Sequence, residues 1–139
     1  MRIALCFLFI LIAAPARAEW VEISTRDSIR EVYVYLDSAT IRRAGDVFNL
    51  WILWDFTAPQ SDVPGASYRS TKMQQEINCA AGKSRTLILA HHAEQMALGE
   101  VVFKYTIDPS AKEFDRSWQP IAPNTFFSEI FKSVCELAK

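Results

Sequence analysis

A short apolar leader constrains this chain more than any later stretch, because it sets the redox conditions in which the rest must fold. Arg2 is followed by an almost wholly apolar run from Ile3 to Ala14, and Ala16-Arg17-Ala18 is a small-x-small cleavage pattern. These are the marks of a secretory signal peptide over residues 1–18, cut after Ala18 to leave a single domain, residues 19–139. The apolar run is about a dozen residues, short of the roughly 20 that cross a bilayer. Export gives the cysteines their meaning. Of the three in the chain, Cys6 leaves with the leader, and it lies too early in the apolar run to become a lipid-modified first residue. Cys79 and Cys135 are then left with each other in an oxidising compartment, and a disulfide is expected. No C-x-x-C occurs and no histidine stands at ligand spacing from either thiol, so a catalytic or metal-binding cysteine is the weaker reading.

Charge narrows the partners. The chain carries 15 Lys and Arg against 16 Asp and Glu, a formal net charge of −1. Loss of Arg2 and Arg17 with the leader takes that to −3. The basic residues are scattered, and Arg42-Arg43 is their only adjacent pair. Nucleic acid and anionic membrane both favour a dense basic patch, so neither is an expected partner. After the leader no apolar stretch is long enough to span a membrane.

Short strands separated by turn signals follow. Trp20 to Ser24 is a candidate first strand, and Glu31 to Asp37 alternates Val32, Val34 and Leu36 with Tyr33 and Tyr35, the period of two that a strand requires. Arg43-Ala44-Gly45-Asp46 reads as a turn into a long apolar strand, Val47 to Phe56. There Phe48, Leu50, Ile52, Trp54 and Phe56 share one face, with Trp51 and Leu53 on the other. Pro59, Pro64 and Gly65 place a loop over Thr57 to Ala66. Ser67 to Cys79 is diluted by Arg69, Thr71 and Gln75 on its apolar side, which suggests an edge strand or one exposed face. Arg85 to His92 and Glu100 to Ile107 complete the strands. Pro123-Asn124-Thr125 then gives start signals, and Phe127, Ile130, Phe131, Val134 and Ala138 recur at helical spacing. The expected fold is α+β, an antiparallel sheet of about six strands packed with one C-terminal helix, which the Cys79–Cys135 disulfide would clamp to the sheet.

One helix covers only part of one sheet face, yet the strands carry large apolar residues on both. Either the sheet curls around its own core, or a partner covers the second face. The candidate residues of such an interaction surface are Tyr33, Tyr35 and Trp51. Arg69 and Lys72 stand near it, though solvated charge accounts for both without a ligand.

The search for chemistry returns little. His91 and His92, with Glu94 nearby, are the only histidines, and adjacent strand residues point to opposite faces, so one ion cannot readily take both. Gly65-Ala66-Ser67 begins a nucleophile elbow, but Arg69 stands where its second glycine belongs. Glycine-rich phosphate loops are missing, and Glu113 with Asp115 lies in a polar stretch where solvated charge suffices. No catalytic residue, metal or cofactor is expected.

Three segments, taken in order, resemble the surface-adhesin protein E family of Gram-negative bacteria. They are Val34-Tyr35-Leu36-Asp37-Ser38-Ala39-Thr40-Ile41, then Tyr68-Arg69-Ser70 leading through Ile77-Asn78 to Cys79, and the helix that carries Cys135. The resemblance implies a six-stranded antiparallel sheet, a C-terminal helix and one disulfide. It further implies an extracytoplasmic protein, periplasmic or at the cell surface, that adheres to host extracellular-matrix or serum proteins and is able to form a homodimer. The alternative function is that of a periplasmic accessory protein which binds an envelope component without adhesin activity.

Overall fold

A computed structural model describes residues 18–27 and 31–136. Almost all of the expected signal peptide, and Ala138 of the expected helix, lie outside the described residues. The strands are β1 Trp20–Asp27, β2 Val32–Asp37, β3 Arg42–Ala44, β4 Val47–Gln60, β5 Tyr68–Asn78, β6 Lys83–His92, β7 Val101–Thr106 and β8 Gln119–Pro120, and the helix α1 is Phe126–Glu136. The antiparallel sheet has the order β1-β2-β4-β5-β6-β7, with β3 paired to β4 and β8 to β6 off that path. Neighbours in sequence are almost always neighbours in space, as short turns require.

Register assigns each residue to a face. Phe48, Leu50, Ile52 and Trp54 of β4 oppose Ile77, Gln75, Met73 and Thr71 of β5, and Leu36 and Val34 of β2 oppose Ile52 and Trp54. This face makes the core with Ile130 and Val134 of α1, which are 1% and 0% exposed. The helix begins at a reciprocal cap: Thr125 Oγ1 accepts from the Ser128 amide at 3.2 Å, and Ser128 Oγ accepts from the Thr125 amide at 3.2 Å. Such a cap satisfies amides that the first helical turn leaves unbonded. Cys79 and Cys135 form the expected disulfide, with Cα atoms 5.8 Å apart, and so fasten the last turns of α1 to the end of β5.

Two sequence expectations are corrected. First, of the two readings of β5, an edge strand or a strand with one exposed face, the edge is wrong: β5 runs between β4 and β6, with alternate residues half-buried. Its polar residues are satisfied sideways: Thr71 bonds His91, Gln75 donates to Thr86, Gln74 donates to Asn49, and Glu76 pairs with Arg85. Buried polar groups are tolerated when bonded in this way. Secondly, β4 continues four residues past Phe56 to Gln60, where a loop was expected. Its pairing with β5 is interrupted between Asp55 and Gln60, which is where Pro59 can sit without a ladder hydrogen bond.

Candidate interaction surface

The sheet face opposite α1 collects four of the five residues proposed from sequence. Tyr33 opposes Asp55, Tyr35 opposes Leu53, Leu53 opposes Lys72, and Trp51 opposes Gln74. Tyr35, Leu53 and Lys72 thus form one cross-strand row. The Lys72 ammonium lies 4.7 Å from the Trp51 ring centre and 5.9 Å from that of Trp20, both within cation–π reach. Tyr33, Tyr35, Trp51 and Lys72 are all half-buried, and Leu53 beneath them is 0% exposed although it stands outside the main core. Burial pushes the Tyr35 phenol above its ordinary value, with Glu22 and Asp55 adding to the effect. Arg69 is drawn elsewhere, donating to the Thr57 carbonyl at 2.8 Å. Trp20 was not among the expected residues, because only the β1–β2 register brings it to this face.

Further along the same face, the segment after β6 is clamped onto the sheet. The Met96 amide donates to Asp55 Oδ1 at 2.6 Å, the Ala97 amide donates to Ser70 Oγ at 2.9 Å, and Ser70 Oγ donates to the Glu94 carbonyl. Met96 and Ala97 both have positive φ, 57° and 58°, which side chains other than glycine seldom adopt. The buried hydroxyl and carboxylate hold them there. Burial raises the Asp55 carboxyl above its ordinary value, against the opposing pull of the Met96 amide and of Arg69. A carboxyl raised by folding adds stability below its unfolded value and loses it as pH rises through the folded value. Asp55→Asn keeps an oxygen for the Met96 amide and removes the buried charge. Its melting temperature should exceed that of the wild type at pH 7, with the gap closing toward pH 4. A variant less stable at pH 7, or a gap independent of pH, would contradict that balance.

Two further features lie toward β7. His91 stacks on Tyr68 with ring centres 3.9 Å apart and faces Phe103 at 5.4 Å, while its Nδ1 bonds Thr71 Oγ1 at 2.8 Å. Burial lowers both His91 and His92 below their ordinary values. The two side chains belong to opposite faces of β6, and among the described residues no group of His, Cys, Asp and Glu has the arrangement of a metal site. The other feature is β7 itself, which ends the sheet and pairs on its outer side with no described strand. Val101, Phe103 and Tyr105, alternate residues on this edge, are 50%, 41% and 47% exposed. Sequence reasoning read this strand but not its position in the sheet, and position is what makes it a surface. No described helix is long and apolar enough to cross a membrane.

Comparison with known proteins adds to this geometry. The model of the family described as surface-adhesin protein E matches residues 20–136. A solved structure of Haemophilus influenzae protein E is similar over 87% of this chain and 86% of its own, with a TM-score of 0.57 and 13% identity. A second crystal form of that protein is similar over 87% and 90%, with a TM-score of 0.59 and 14% identity. At such identity these structures support the fold. No curated protein is significantly similar to the chain in sequence.

Proposed function

The chain belongs to the surface-adhesin protein E family, and we propose that it is an exported, non-enzymatic binding protein whose ligand is another protein, a host matrix or serum component. The observation that carries this reading is the β7 edge. A sheet edge presents unpaired amides and carbonyls to an incoming strand, and natural proteins usually blunt such edges with charge or proline. On β7 only Lys104 does so, between the exposed Val101, Phe103 and Tyr105. Alternating apolar side chains beside free backbone groups suit an extended segment of a partner, which gains main-chain hydrogen bonds and side-chain contacts together. The same edge would serve a homodimer. The half-buried row of Tyr33, Tyr35, Trp51 and Lys72 is a second contact surface, and Arg69, held by Thr57, contributes least.

The test measures binding of the purified domain to immobilised extracellular-matrix extract and to serum proteins. Phe103→Lys places a charge on the edge at a residue outside the buried core cluster, so binding should fall tenfold or more, roughly the effect of one hot-spot residue. The melting temperature should fall only slightly, since the ring removed is 41% exposed and gives up its contact with His91. Binding unaffected by Phe103→Lys but lost in Lys72→Glu would move the site to the opposite face. Protease treatment of intact and of permeabilised cells separates the two locations. Digestion on intact cells supports the adhesin reading, and protection until permeabilisation supports a periplasmic ligand instead.

A further inference from the structure

We propose that the groove between the β5–β7 half of the sheet and the segment leading into α1 binds a planar aromatic molecule that carries a hydrogen-bond donor. The helix covers the other half of this face, so the groove is what remains uncovered. It has a volume of about 870 Å³, within the range of roughly 300–1,000 Å³ usual for small-molecule sites. Five aromatic rings, those of Trp54, Phe56, Tyr68, Tyr105 and Phe127, line it among polar and aliphatic residues. Several of these rings already pack edge-on or tilted against one another: Phe56 to Tyr68 at 5.8 Å and Trp54 to Phe127 at 6.3 Å. A flat guest would extend that array, gaining ring–ring interaction beyond the area it buries.

Gln75 supplies the polar requirement. It lines the groove yet is only 3% exposed. Its amide nitrogen is committed, donating to Thr86 Oγ1 at 2.6 Å and to Met73 Sδ at 3.3 Å. Among the described residues nothing donates to its Oε1. The oxygen is not one of the sealed, unpartnered polar atoms and so opens to the groove; a guest that displaces water from it must offer a donor in its place or forfeit that hydrogen bond.

The charges around the groove argue against an acidic amphiphile such as a fatty acid. Arg85, the guanidinium that borders it, is paired with Glu76 at 2.6 Å. It is also held between the Phe114 and Trp118 rings, at 3.7 Å and 4.4 Å from their centres. A cation so engaged is not available to a carboxylate headgroup. Five lining rings, one acceptor open to the groove without a protein donor, and a guanidinium already engaged therefore point to a neutral aromatic donor.

The experiment uses N-phenyl-1-naphthylamine, whose fluorescence rises in apolar surroundings, and 1-phenylnaphthalene, which lacks the N–H. Titrated into the intact protein, the amine should bind saturably at one site and about tenfold more tightly than the hydrocarbon, the worth of one hydrogen bond. Gln75→Leu should abolish that preference. Because this change alters a buried position, Tyr105→Ala provides a second variant at the exposed rim. It should weaken both probes alike and leave the melting temperature unchanged. The proposal is overturned by an absence of saturable binding. It is equally overturned by equal affinity of the wild type for both probes, which would mean that water satisfies Gln75, or by displacement of the amine by stoichiometric palmitate.

Discussion

Replacing Cys79 and Cys135 together by serine is expected to destabilise the domain by about 4 kcal/mol, with a fall in melting temperature of roughly 15 °C. The residues are 56 apart in sequence, so the cross-link removes a large loop-closure freedom from the unfolded chain. That alone is a substantial part of the roughly 5–15 kcal/mol by which domains of this size are stable. The native state adds a local reason. Helix α1 has 11 residues, too few to be stable in isolation, and it holds to the sheet chiefly through Ile130, Val134 and this bond. Without the bond, the end of the helix is the first place where fraying is expected. The double variant avoids a lone thiol that could cross-link two molecules. Thiol labelling provides the companion measurement: the intact protein should take up no label at Cys79 or Cys135 without reductant. An unchanged melting temperature, or labelling of the unreduced protein, would remove the staple from any account of stability.

The disulfide was legible in sequence because the expected leader claims Cys6, leaving Cys79 and Cys135 with no competing use for either. Alternation made β2 legible, and helical spacing made α1 legible. What sequence could not supply was lateral context. Thr71 and Gln75 dilute the apolar side of β5, which by hydropathy alone suggested an edge strand or one exposed face. Their hydrogen bonds to His91 and Thr86 come from β6, and only register reveals that these polar residues have partners in the interior. The short strands β3 and β8 span three and two residues, too few for any periodicity to register. The surface followed the same rule. Tyr33, Tyr35 and Trp51 could be assigned to a second face by parity, and Lys72 joined them there, but Trp20 required the β1–β2 pairing. Positive φ at Met96 and Ala97 depends on Asp55 and Ser70, 41 and 27 residues away in sequence, so the clamp has no local signature.

The largest consequence of that second face concerns Leu53. It is 0% exposed, as is Leu50 three residues earlier, yet the helix lies only over the Leu50 side. Leu53 is flanked across the strands by Tyr35 and Lys72, and the stem of Lys72 reaches over toward Trp51 and Trp20. Long polar side chains can bury apolar surface along their stems while keeping the charge in water. Leu53→Ala should therefore behave as a core substitution, costing about 2–5 kcal/mol through lost transfer energy and the cavity left behind. Leu50→Ala falls in the same range and should cost more, since helix and sheet together hold its cavity open. Around Leu53, Tyr35 and Lys72 are partly exposed and free to settle inward, which recovers some of the loss. Denaturant melts of the two variants decide the matter. A cost for Leu53→Ala below about 0.5 kcal/mol is what ordinary surface positions give. It would mean that the aromatic row covers nothing of energetic weight in the isolated chain, and that a bound partner is what completes that face.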